Sequence, residues 1–201
     1  MTVIGITGPT GAGKTTVLKE IEALGGAVID CDAVYHEMLE SDRALQENLE
    51  RAFGPLRDGQ GAIDRKKLGA LVFGDPAKLE RLNAIAQRAV VQRTRQMVKE
   101  NRSRGIGLTA IDAFALLESG LADLCTTTVA VLAPAVARVA RIMAREGISE
   151  DYAWARVRAQ KPDDYFIKGC DYTLWNDCAG PEEFGARVRA LLEKLFADKE
   201  V

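Results

Sequence analysis

The sequence predicts an α/β fold: a five-stranded parallel sheet flanked by helices, with a helical insertion between the second and third strands. Three observations carry this reading. The segment Gly8–Thr15, GPTGAGKT, fits the G-x-x-x-x-G-K-[ST] phosphate loop and lies between a short apolar run and a helix-period stretch. Near-continuous apolar runs alternate with helical patterns through much of the chain, as expected of parallel strands covered on both faces. The loop, Asp30-Cys31-Asp32 and Asp112 each follow the carboxyl end of such a run, where parallel sheets bind their ligands.

Val3–Ile6 reads as the first strand and Lys14–Leu24 as the first helix, stopped by Gly25-Gly26. Ala27-Val28-Ile29 is a short second strand ending at Asp30, with a helix expected from about Ala33. From Ser41 to Arg104 the chain turns charged and helical in period, with Leu45, Leu49 and Phe53, then Leu79, Leu82 and Ile85, on apolar faces. Gly54-Pro55, Asp58–Gly61 and Gly74-Asp75-Pro76 punctuate it as turns. The core resumes with Ile106–Ile111, closing on Asp112, and continues with Thr128–Leu132. Pro134 opens a helix running to about Glu146, before Gly147. Ser149 is an N-cap, with Glu150 and Asp151 in the first turn of a helix reaching Gln160. Tyr172–Trp175 is the last strand, and Pro181 starts an amphipathic helix with Phe184, Val188, Leu191, Leu192 and Leu195 on its apolar side.

The 201 residues suffice for one sizeable core with room for a subdomain. A net charge of −2 gives no global reason to expect a nucleic-acid partner or an anionic membrane surface. No apolar run approaches the length of a membrane span, and no leader precedes the first strand, so a cytoplasmic protein is expected. The four cysteines, Cys31, Cys125, Cys170 and Cys178, lack C-x-x-C spacing and are expected as free thiols.

The glycine loop at a helix start builds an anion cradle from main-chain amides at Gly11, Ala12, Gly13 and Lys14, reinforced by the helix dipole. Lys14 is placed to reach the outer phosphates and the Thr15 hydroxyl to ligate Mg²⁺. Phosphoryl transfer to a hydroxyl also needs a carboxylate to accept its proton. Asp32 is the candidate, while Asp30 is as readily a helix cap. Asp112 ends a strand, as a carboxylate holding Mg²⁺ would, or else caps the next turn. Arg138, Arg141 and Arg145 share one helix face, either a solvated surface or a lid over phosphates. His36 lies one helical turn after Asp32, an incidental surface residue or a partner for substrate.

These residues resemble the dephospho-coenzyme A kinase family nearly end to end. GITGPTGAGKTTV resembles its opening phosphate loop, VIDCDAVYHEM its D-A-D element, and Gly61–Leu68 its G-x-[IL]-D-R-x-x-L signature. LNAI at Leu82–Ile85, DAFALLE at Asp112–Glu118, the stretch Arg138–Gln160 and Asp171–Asn176 come in the family's order. The resemblance implies a P-loop kinase that phosphorylates the 3′-hydroxyl of dephospho-CoA with ATP and Mg²⁺. It implies a nucleotide-binding core of residues 1–40 and 106–201, a lid of about 138–168, and a substrate-binding insertion of 41–105. ATP contacts are expected from Gly8, Gly11, Ala12, Gly13, Lys14, Thr15, Thr16 and Arg141, with Asp32, Lys14 and Arg141 catalytic. Acceptor contacts are expected from Asp32, His36, Asp64, Arg65, Leu68 and Asp112, and Mg²⁺ ligands from Thr15 and Asp112. The expected partner is the small-molecule substrate alone, with no nucleic acid or membrane, on a monomer or weak homo-oligomer. The chain departs from the family pattern at Gln87-Arg88, where His-Pro is frequent. It departs again at the proline of the D-x-P-L-L-x-E segment, and after Gln160, where a lid arginine is absent. Another P-loop small-molecule kinase is the alternative; a nucleotide switch lacks support because no N-K-x-D element is present.

Overall fold

A computed structural model describes residues 1–197. The chain divides into two compact units, Met1–Val28 with Glu100 onward, and Ile29–Lys99. The first unit carries strand β1 (Thr2–Thr7), every residue of which is buried. It lies in the middle of a five-stranded parallel sheet of order β2-β3-β1-β4-β5. The other strands are β2 (Ala27–Asp30), β3 (Leu108–Asp112), β4 (Thr127–Leu132) and β5 (Tyr172–Trp175). β1 runs parallel to both neighbours, with Ile6 opposite Asp112 on one side and Val129 on the other.

Alternation along β4 explains why both faces must be covered. Val129 and Val131 join Ile4, Ile6, Val17, Ile21, Phe184, Val188 and Leu192 in one cluster, which packs α1 (Lys14–Ala23) and α9 (Pro181–Ala197) on that face. Ala130 and Leu132 point the other way, against Phe166 of α8 (Asp163–Gly169). On that second face β1 is also packed tightly: a Cβ on Gly5 would stand 2.8 Å from both Leu116 and Cys125. Burying each of these large aliphatic side chains contributes about 1.5–3 kcal/mol.

The second unit is helical. It holds α2 (Cys31–Ser41), α3 (Arg43–Phe53), α4 (Arg65–Val72) and most of α5 (Pro76–Ser103). Asp42 ends α2 and caps α3, its carboxylate accepting from Leu45 N at 3.0 Å. Buried Gln46 donates to the Leu39 and Glu40 carbonyls and accepts from Arg57, tying α2 to the loop after α3. This unit begins at Ile29 rather than at residue 41, because α2 packs on α3.

Several expectations are corrected. α2 starts at Cys31, not near Ala33, because Asp30 accepts from the amides of Asp32 and Ala33 and so pins the first turn. The insertion's second half is one helix of 28 residues, spanning about 42 Å, which starts at the Gly74-Asp75-Pro76 turn as read. The stretch after Gln160 forms α8, whose acidic first turn, Asp163-Asp164, favours a helix N-terminus. All four cysteines are free thiols. No helix among the described residues is long and apolar enough to cross a membrane.

Asp171 tethers the start of β5 to β4. Its carboxylate accepts from Thr128 N at 2.8 Å and Thr128 Oγ1 at 2.9 Å. The backbone and hydroxyl donors of Thr128 hold its carboxyl below the usual value of 3.8. A depressed carboxyl stabilises the fold above its unfolded pKa, and that contribution disappears as pH falls through the lower, folded value. Asp171→Asn is therefore expected to be less stable than wild type at neutral pH, with the gap closing below about pH 4. Denaturant melts across pH check this; a gap constant down to about pH 2 would contradict it.

Candidate active site

β1 delivers the chain into the glycine loop at the carboxyl edge of the sheet. Gly8 has φ 140° and Gly13 φ 110°, conformations that a side chain resists. Space enforces the same choice. A Cβ on Gly8 would lie 2.1 Å from the Val131 carbonyl oxygen, and one on Gly13 2.3 Å from Asn176 Nδ2.

The loop's carbonyls are held from behind. Arg141 donates to Gly11 O at 3.0 Å and Ala12 O at 3.3 Å, and to Asn176 Oδ1 at 3.2 Å. Asn176, buried just after β5, donates to Ala12 O at 2.8 Å. Carbonyls bound on one side leave amides facing the other. The amides of Gly11 and Gly13 meet no acceptor among the described residues, and α1 starts at Lys14 with no side-chain cap. Ala12 N is different from the expectation: it closes the turn onto Pro9 O at 3.3 Å. Lys14 folds over the loop, its Nζ donating to Gly8 O at 2.9 Å. The Thr15 side chain is exposed and Thr16 half-buried, both in the first turn of α1.

A second clasp grips the loop's tip. Arg138, buried on α6 (Ala135–Glu146), donates to Thr10 O at 3.1 Å and to Gln160 Oε1 at 2.6 Å. The same Gln160 oxygen accepts from Thr10 N at 3.0 Å. Burial pushes the Arg138 guanidinium down from its usual range, and Asp163 partly opposes this. Arg145 takes no part. It pairs with Glu146, as does Arg156 from α7 (Glu150–Arg158). The three arginines of one face thus divide into two that hold the loop and one on the surface.

Arg141 therefore positions the loop in this structure, rather than presenting its guanidinium to a nucleotide. Asn176 and Gln160 are supports that residue patterns alone did not single out, and Arg138, read from sequence as a lid or surface arginine, joins them. An asparagine directly after the last strand was the available signal. Asn176→Ala removes a buried bond to Ala12 O and orphans part of Arg141. A loss of about 1–3 kcal/mol is expected, lowering Tm by roughly 2–4 °C per kcal/mol. Thermal melts and the ATP KM measure it; an unchanged Tm would remove Asn176 from the loop's support.

Asp112 is half-buried at the end of β3, in register with Ile6, two residues before Gly8. Asp112 and Thr15 together offer a carboxylate and a hydroxyl, a hard oxygen donor set that fits Mg²⁺ shared with phosphate oxygens. No cluster of three or more His, Cys, Asp or Glu among the described residues forms a separate metal centre.

The remaining candidates lie in the second unit. Asp32 occupies the first turn of α2 and is exposed; its carboxylate makes no hydrogen bond or ion pair among the described residues. His36 is exposed one turn on, its ring 6.0 Å from that of Tyr35. Burial raises the Tyr35 hydroxyl pKa, and the positive charge of Arg65 opposes the shift. Asp64 caps α4, accepting from Lys67 N at 3.0 Å. Leu68 is only 4% exposed and packs in the interior, so it has no surface to offer a ligand here.

The dephospho-CoA kinase family model matches residues 2–182. A dephospho-CoA kinase of Dehalococcoides mccartyi is 34% identical over 89% of this chain and 90% of its own. One of Carboxydothermus hydrogenoformans is 35% identical over 96% and 93%. Among solved structures, the Thermus thermophilus protein TT1252 has a TM-score of 0.74 at 32% identity, covering 98% of this chain and 97% of that one. Campylobacter jejuni dephospho-CoA kinase, with a TM-score of 0.64 at 18% identity and 96% of each chain covered, shares the fold. So does the shikimate kinase of Acinetobacter baumannii, with a TM-score of 0.55 at 17% identity, covering 99% and 95%. A match of this extent, on a loop built as described, is decisive: the chain belongs to the dephospho-CoA kinase family.

Proposed function

We propose that the chain transfers the γ-phosphoryl group of ATP to the 3′-hydroxyl of dephospho-CoA, giving coenzyme A and ADP. The observation that carries this is the loop itself. Its carbonyls are tied back by Arg141 and Asn176, its Gly11 and Gly13 amides are unspent, and Lys14 lies across it. This is a preorganised cradle for a polyphosphate. Family membership supports the choice of acceptor.

In this reading, the Gly11 and Gly13 amides at the start of α1 hold the β- and γ-phosphates, and Lys14 balances the charge that develops on the equatorial oxygens. Thr15 and Asp112 would hold Mg²⁺, which supplies charge neutralisation when bound. Asp32 accepts the proton of the attacking hydroxyl. Its carboxylate is free for that role because Asp30 takes over the capping of α2. His36 and Arg65 contact the acceptor's phosphate groups, and Asp64 orients α4, within an insertion of 41–105 that seats the acceptor. Residues 138–168 close over the site and exclude water, which otherwise competes as acceptor. The Arg138–Gln160–Thr10 clasp couples that segment to the loop. The reaction is placed in the cytoplasm, on a monomer or weak oligomer.

A coupled ADP assay across acceptor alcohols tests the proposal. ADP formation that depends on dephospho-CoA, with shikimate and nucleoside monophosphates inactive, is expected. Faster turnover with another alcohol would overturn the acceptor assignment.

A further inference from the structure

The Asp32 carboxylate makes no hydrogen bond or ion pair among the described residues, so its place is set through its backbone. Asp30 holds that backbone from the solvent side, accepting from the amides of Asp32 and Ala33. Cys31 holds it from the interior. It heads the buried stripe of α2, which continues through Val34, Met38 and Leu39. Cys31 is 6% exposed, and its Sγ lies 3.7 Å from Oγ1 of Thr94, within reach of a sulfur hydrogen bond.

Thr94 is an unusual residue for its place. It is fully buried on α5, one turn after Val90 on the same face, where an aliphatic side chain would be the ordinary choice. A hydroxyl there needs a partner, because burial strips its water and only a hydrogen bond restores what is lost. The Cys31 thiol supplies one; a methyl group at position 31 could not. α5 belongs to the insertion that seats the acceptor in the proposed reaction. A contact from α5 to the residue before Asp32 therefore ties the proton acceptor to the acceptor's seat.

We propose that Thr94 and Cys31 are positioning residues for Asp32, a buried hydroxyl–thiol contact that locks the first turn of α2 onto α5. The proposal rests on Asp32 as the proton acceptor of the reaction. Proton transfer requires the carboxylate within about 2.6–3.2 Å of the hydroxyl, and small misplacements of a reacting group are costly in rate. Neither Thr94 nor Cys31 touches substrate; both act through where Asp32 stands.

Steady-state kinetics of Thr94→Val and Cys31→Ala test it. The valine keeps the volume and branching of Thr94 and removes the hydroxyl. kcat with dephospho-CoA is expected to fall about three- to tenfold, the scale of one hydrogen bond, with the KM for ATP little changed. Thr94→Ser, which keeps the hydroxyl, should recover kcat to within about twofold of wild type. Cys31→Ala removes the same contact from the other side, and the double variant should fall no further than either single one. The readout that separates positioning from general support is the Asp32→Asn background. There Thr94→Val should leave the residual rate unchanged, because the group it positions can no longer accept a proton. A fall of the same size in both backgrounds would overturn the proposal in favour of a purely structural contact. Wild-type kcat in both Thr94→Val and Cys31→Ala would overturn it as well, while leaving Asp32 as the proton acceptor. Wild-type kcat in Asp32→Asn alone would overturn the reading of Asp32, and the proposal with it.

Discussion

Asp32→Asn is expected to lower kcat by about 10²–10⁴-fold while leaving the KM for ATP little changed. The exchange keeps the shape while removing the charge and the capacity to accept a proton. It also isolates chemistry from folding. Asp32 makes no side-chain bond among the described residues, so the variant should melt with wild type. Asp30→Ala is the informative contrast. It strips the cap from α2, costing about 0.5–2 kcal/mol of stability. Steady-state kinetics beside thermal melts separate the two aspartates. Turnover at the wild-type rate in Asp32→Asn would remove Asp32 from the reaction.

Lys14→Ala is expected to lower kcat/KM for ATP by roughly 10²–10³-fold, because it removes a charge aimed at phosphate oxygens that become more negative in the transition state. The side chain donates to Gly8 O at 2.9 Å, a bond that a bound phosphate would replace. Inhibition by pyrophosphate should weaken with it, since the anion would lose the same partner. A variant with unaltered kinetics would place Lys14 outside the site.

The sheet was legible because its strands are short apolar runs closed by polar residues. Tyr172–Trp175 forms the last strand as read, and β3 closes on Asp112 as read. The phosphate loop was equally legible, since three positive-φ glycines and a lysine at a strand–helix junction have few other uses. What escaped the sequence was tertiary. The loop's carbonyls are satisfied by Arg141 and Asn176, 130 and 164 positions away from their Gly11 and Ala12 partners. Periodicity reports which face a side chain occupies, not which carbonyl lies opposite it. That is why Arg138, Arg141 and Arg145 read alike and behave differently. Leu68 shows the same limit from the other side. A motif position beside Asp64 and Arg65 was read as a substrate contact, but a leucine one turn into a short helix is claimed by the interior.

The central claim is that a cradle of main-chain amides and Lys14 delivers a phosphoryl group to an alcohol. The most direct measurement traces the label from γ-³²P-labelled ATP in a reaction with dephospho-CoA. ADP and labelled coenzyme A are expected in equal amounts, with the label released by a 3′-specific phosphatase. Label appearing as inorganic phosphate at the same rate with and without dephospho-CoA would contradict it.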